Sequence, residues 1–295
     1  MEQEDHDRGL AFDLPTLLDR RRALTLMGGV GVALLVGCGS DSPSATRSAS
    51  SAPSTASTST TASSSTTTPG AASSTASSTG DCTTIPEETA GPFPGDGSNG
   101  PNVLDQSGVV RSDIRSSFGS SSTVAGGIPL TITLVLRGAT TCAALPGAAV
   151  YVWHCDREGR YSLYSNGVTN ESYLRGVQVA DGDGRVTFQS IFPGCYSGRW
   201  PHIHFEVHPT VAGATSGGTP AATSQIALPK DTCDLAYATA GYEQSVKNLA
   251  QTSLQRDMVF ADSYAQELGT VTGSVSSGLT VALDVAVGGG GGSNL

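Results

Sequence analysis

The 295-residue sequence is short of basic residues, long apolar runs and paired cysteines, and each shortage removes a class of function. Its 16 Lys and Arg are outnumbered by 26 Asp and Glu, for a net charge of -10. No basic stripe is present to neutralise phosphates, which excludes nucleic acid as a partner. A helix that crosses a bilayer needs about 20 consecutive apolar residues. The apolar run from 23 to 37 is shorter and rich in glycine. No C-x-x-C occurs, so a cysteine zinc cluster is not expected.

What is present at the start points to export. Residues 1–38 read as a signal peptide, with a polar, acidic beginning, then Arg20, Arg21 and Arg22, then the apolar run. The arginine cluster has the look of a twin-arginine signal, which exports folded proteins and so allows a metal to be loaded before transport. Leu35-Val36-Gly37-Cys38 looks like a lipobox, with Cys38 as the lipidated residue. A lipid there would be the chain's one attachment to a membrane, on the outer face of a bacterial cell; without it the chain would be secreted. Residues 39–80 are almost entirely Ser, Thr, Ala and Pro, too polar to bury a core. As a flexible tether they would reach on the order of 35 Å.

Residues 81–287 read as one folded domain, followed by a glycine-rich tail at 288–295. Short β-branched segments at 130–136, 148–153, 185–188, 203–207 and 279–285 are punctuated by Gly, Pro, Asp and Asn. They predict an all-β fold, an antiparallel β-sandwich with short helical pieces. Asp181-Gly182-Asp183-Gly184 predicts a hairpin joining 177–179 to the next strand. Helix is expected only in short pieces, for example near 242–250 and 254–264.

Five cysteines remain after Cys38 is set aside: Cys82, Cys142, Cys155, Cys195 and Cys233. Five is odd, so at most two disulfides form within the chain, in keeping with an oxidising compartment.

The chemistry concentrates in PGCYSGRWPHIHF, from Pro193 to Phe205. From His202 to Val207 polar and apolar residues alternate, the period of a half-buried strand. His202 and His204 would share one face about 6 to 7 Å apart, a spacing at which two imidazoles converge on one ion. Tyr196 follows a Pro-Gly turn that can fold its ring back toward them. A phenol of ordinary pKa near 10 is a poor ligand, and only a hard, strongly acidic ion such as ferric iron holds it as phenolate. In an extended chain Cys195 points away from that site. Two His and one Tyr leave a ferric ion under-neutralised, and both Tyr161 and Tyr164 stand in a loop where a further donor is expected.

Gly159-Arg160-Tyr161, PGCY at 193–196, RWPHIHF at 199–205 and TAGPFP at 89–94 resemble the intradiol ring-cleavage dioxygenases. WHCD at 153–156 resembles exported members that lack a helical dimerisation domain. The resemblance implies one non-haem Fe(III) per chain, with Tyr161 and His202 as equatorial and Tyr196 and His204 as axial ligands. It implies that Arg199 is an active-site arginine and that Pro92, Phe93 and Gln225 shape the substrate pocket. A permanently charged guanidinium at Arg199 would stabilise negative charge developing on the ring. PGCY departs from the family at Cys195, and PFPGDG lacks a second aromatic. The implied reaction is cleavage of a catechol by O2 between its hydroxyl-bearing carbons, giving a cis,cis-muconate-type diacid. Two other readings stand beside it: a metal-free extracellular β-sandwich that binds a ligand, and an exported protein holding copper or zinc at the same histidines.

Overall fold

The computed structural model describes residues 82–288. The export segment with Cys38, the tether and residues 289–295 lie outside the described residues. Among the described residues the strands are β1 (Pro129–Gly138), β2 (Ala149–Trp153), β3 (Arg175–Val179), β4 (Arg185–Ile191), β5 (His202–His208), β6 (Ala222–Ala227), β7 (Thr270–Ser274) and β8 (Gly278–Val287). The helices among the described residues are short: α1 (Val211–Ala214), α2 (Lys230–Tyr237) and α3 (Glu243–Leu249). One sheet runs β4-β1-β8-β7 and the other β3-β2-β5-β6, the all-β sandwich expected.

Alternation decides which residues fill the space between the sheets. Leu130, Ile132, Leu134 and Leu136 of β1 and Val281, Leu283 and Val285 of β8 meet Val150 and Val152 of β2 and Ile203, Phe205 and Val207 of β5 in one core. Each such side chain withdrawn from water contributes about 1.5–3 kcal/mol, which fixes the register of every strand.

The second sheet is buried on its other face as well, so all seven residues of β5 are inaccessible and the strand is not half-solvated as its alternation suggests. The chain ahead of β1 lies over that face, and Phe93, Leu104 and Val109 pack with Tyr151, Trp153, Tyr161 and Val177 in a second cluster. Arg175, itself fully buried, ties this covering arm down. Its Nη1 donates to Pro94 O at 2.9 Å, while its Nε and Nη2 donate to Ser162 Oγ and O, each at 3.0 Å.

Three expectations are corrected. Asp181–Gly184 forms a tight turn, with Asp181 N bonded to Arg185 O at 3.0 Å, but it is not a hairpin between paired strands. β3 pairs with β2 and β4 with β1, so the turn is a corner where the chain changes sheets. The sandwich is not wholly antiparallel, because β1 and β8 run parallel. Residues 254–264 form turns, not a helix. There the Asp257 carboxylate takes the N–H groups of Val259 and Phe260, in competition with a helical ladder. β6 and α2 had no clear periodic signal: all six residues of β6 are buried, and α2 is only eight residues long.

One disulfide joins Cys82 to Cys142, while Cys155, Cys195 and Cys233 are buried thiols.

Candidate metal centre

Three segments bring donors to one spot on the covered face of the second sheet. β5 supplies His202 and His204, the loop after β4 supplies Tyr196, and the loop after β2 supplies Tyr161. His202 Nε2 lies 3.1 Å from His204 Nε2 and 3.4 Å from each of the Tyr161 and Tyr196 hydroxyls. His202 Nδ1 is 2.5 Å from Trp200 O, a carbonyl that can only accept, so Nδ1 carries the proton and Nε2 turns a lone pair toward the cluster.

Local chemistry explains this convergence. Gly159 adopts φ +84°, a left-handed conformation that a side chain rarely takes, and a Cβ there would stand 3.2 Å from Tyr196 Cβ. The glycine of the GRY turn thus lets the Tyr161 and Tyr196 loops lie against each other. On the other side Gly91, at φ +72°, lets the TAGPFP arm pass His204, whose Cε1 would be 3.2 Å from an added Cβ. From behind, α3 holds the Tyr196 loop. Ser245 Oγ accepts from Cys195 N at 2.9 Å and Asn248 Nδ2 donates to Cys195 O at 2.8 Å.

Cys195 points into the inter-sheet core, as the extended chain predicts, with Sγ 3.5 Å from Arg199 O. Burial pushes its thiol up to about 12, so it is not a thiolate donor. Tyr161 and Tyr164, left open by pattern alone, are separated by their hydroxyls. That of Tyr164 accepts from Gly95 N and donates to Asn99 Oδ1, both at 2.8 Å, so it holds the arm. Phe93 packs between the two tyrosines, 4.8 Å from the Tyr161 ring and 5.2 Å from that of Tyr164. Pro92 precedes it, and its carbonyl accepts from Asn99 Nδ2.

Arg199, nearly inaccessible, donates from Nη2 to Gln225 Oε1 at 2.7 Å and from Nε to Asp257 Oδ2 at 3.0 Å. Gln225 Nε2 donates in turn to Thr89 O at 3.0 Å, so one chain of bonds links the arginine to the covering arm. Gln225 also sits beside His204 in the sheet, and Trp153 sits on its other side.

Two contributors were not assigned roles from sequence. Trp153 lies flat on His204, and its position two residues from Tyr151 on one strand face was the available signal. Asp257 comes from a turn far along the chain, with no local pattern to mark it.

Residues 121–212 match the family model described as Dioxygenase, a stretch that holds Tyr161, Tyr196, Arg199, His202 and His204. An intradiol ring-cleavage dioxygenase from Tetranychus urticae is similar in structure, at 27% identity and a TM-score of 0.57, over 72% of this chain and 98% of that one. Both comparisons make the chain similar to the intradiol ring-cleavage dioxygenases. The dioxygenase domain of a carbohydrate-binding fusion protein from Streptomyces sp. SirexAA-E also matches, at 21% identity over 70% of this chain and 99% of that one, with a TM-score of 0.45. No curated sequence matches the chain.

The donors gathered at this centre suit ferric iron better than zinc. Among the described residues no three His, Cys, Asp or Glu side chains gather as a metal cluster, so any ion here draws on the phenols. Burial lowers the pKa of both histidines, with Arg199 beside His202 and His202 beside His204 adding to the effect, which keeps the imidazoles neutral as ligands must be. Burial, with Tyr196 alongside, raises Tyr161 well above an ordinary phenol, so its phenolate requires a hard cation close by.

Proposed function

We propose that this dioxygenase uses one non-haem Fe(III), held by Tyr161, Tyr196, His202 and His204, to open a catechol between its two hydroxyl-bearing carbons. Both atoms of O2 enter the product, a cis,cis-muconate-type diacid, and no external reductant is consumed. The observation that carries this reading is the meeting of two phenol oxygens and two imidazole Nε2 atoms at 3.1–3.4 Å around His202.

Ferric iron bound there would supply Lewis acidity toward the two catechol oxygens. The protein supplies the rest. Tyr196 Oη is placed to take up a proton from a substrate hydroxyl. The Arg199 guanidinium, held by Gln225 and Asp257 in a water-poor setting, stabilises negative charge that develops on the ring. Pro92 and Phe93 wall the pocket on the Tyr161 side, and the arm that carries them keeps water from the centre.

The export signal and a lipid at Cys38 extend the proposal to an enzyme displayed outside the cell, where catechols would reach it without transport. Retention of a Cys38→Ala chain in the membrane fraction would overturn the lipid anchor.

The test is iron content, visible absorption and oxygen uptake with catechol, with product spectra to distinguish intradiol from extradiol opening. The expected outcome is one iron per chain, a red to purple tyrosinate band and a muconate-type product. Tyr161→Phe and His204→Ala should each lose iron or turnover; full iron content and full activity in either would overturn the assignment.

A further inference from the structure

Asp257 is fully buried and stands 58 residues beyond Arg199 in the chain, yet both of its oxygens are committed at the centre's edge. Oδ1 accepts from Val259 N at 2.9 Å and Phe260 N at 3.3 Å, which closes the turn that carries it. Oδ2 accepts from Arg199 Nε at 3.0 Å and from Trp200 N at 2.5 Å. The carbonyl of that same Trp200 receives the His202 Nδ1 proton, so backbone fixed by Asp257 is the backbone that orients His202. The turn also places the Phe260 ring 6.0 Å from the Arg199 guanidinium carbon and 6.4 Å from the His202 ring.

We propose that Asp257 is the positioning residue of this centre: one carboxylate oxygen aims the Arg199 guanidinium and, through Trp200, sets which face of the His202 imidazole meets the other donors. The chemistry of this inference rests on the dioxygenase reading, but its geometry does not. A buried arginine–carboxylate pair is weak evidence for a role in stability, because desolvation offsets much of the attraction. Alignment of a charge beside a reacting group is worth more, since misplacement by about 1 Å can cost on the order of a hundredfold in rate.

The variant to make is Asp257→Asn, which keeps an oxygen for Val259 and Phe260 but sets an amide against Arg199 Nε and Trp200 N. Activity is expressed per bound iron, so that incomplete loading or partial unfolding does not count as lost chemistry. The expected result is a kcat per iron lower by about tenfold to a hundredfold, with KM changed much less. In an Arg199→Met background the same substitution should cost less than in the wild type, because only the hold on Trp200 and His202 is left to lose.

A second readout needs no metal and no turnover. In 15N-arginine-labelled protein the Arg199 Nε–H should exchange slowly with water, and in Asp257→Asn this protection should be lost. Should Asp257→Asn fail to fold, Asp257→Glu keeps the charge with one more methylene and should retain protection while lowering kcat per iron. Wild-type kcat per iron in Asp257→Asn, unchanged protection, or a loss that adds fully to that of Arg199→Met would each overturn the positioning role. Wild-type protein that binds no iron and consumes no catechol would overturn the dioxygenase reading instead, while the exchange measurement would still decide what Asp257 holds.

Discussion

Trp153 lies on His204 as a flat stack, with ring centroids 4.8 Å apart and planes within 5°. The two are neighbours across the β2–β5 pairing, so the sheet sets their separation and the indole sets the rotation of the imidazole. Trp153 is wholly buried. Replacing it with Ala should cost about 3–5 kcal/mol in urea unfolding, the price of a large aromatic cavity. Trp153→Phe should cost less and keep more iron, because a smaller ring still covers His204. Equal iron loss in both variants would show that the stack does not orient the ligand.

Glu267 gives the protein a pH-dependent stability of its own. Its side chain is inaccessible, Ser224 Oγ donates to Oε1 at 3.3 Å, and burial with Glu88 nearby raises its pKa from 4.5 to about 9. Between those values the folded state holds a proton that the unfolded state has released, so stability falls as pH rises from about 4.5 to 9. Glu267→Gln removes that proton linkage. It should flatten the profile and leave the variant a few kcal/mol more stable than wild type near pH 8. Urea melts from pH 5 to 9 measure the slope, and an unchanged slope would show that Glu267 is not its source.

Cys195 tests whether the thiol inside the run that carries Tyr196, His202 and His204 belongs to the centre. Its side chain faces the inter-sheet core, so Cys195→Ala should keep iron content and visible colour while costing about 1 kcal/mol for the small void. Loss of iron with the fold intact would make it a ligand.

The Cys82–Cys142 bridge spans 60 residues and anchors the start of the covering arm to the loop that follows β1. Restricting a loop of that length in the unfolded chain is worth about 4 kcal/mol. A Cys82→Ser/Cys142→Ser protein should lose about that much in denaturant unfolding. An unchanged midpoint would mean that the reduced arm stays docked by Arg175 and Tyr164 alone.

How far the sequence could be read depended on the range of each interaction. β1, β4, β5 and β8 were legible because a two-residue period follows from strand geometry, and β2 because its run is unbroken, mostly β-branched and aromatic. β6 was not, since both of its faces are covered and no alternation survives. The turn at 181–184 was legible as a turn, but whether its flanking strands pair is settled by their partners in two different sheets. In the centre, His202, His204 and Tyr196 lie close enough in sequence for geometry to group them. The family resemblance favoured Tyr161, but only the hydroxyl directions of Tyr161 and Tyr164 distinguish the two in space.

By itself the sequence determined the β architecture, the facing histidines and the nearness of Tyr196 to them, because strand period and short spacing are local properties. The tertiary structure alone decided that a covering arm seals the face of β5, that Trp153 sets His204, and that Asp257 reaches back 58 residues to Arg199. Those contacts depend on which loop folds over which sheet face, and that is fixed by burial summed over the whole chain, not by any short pattern within it.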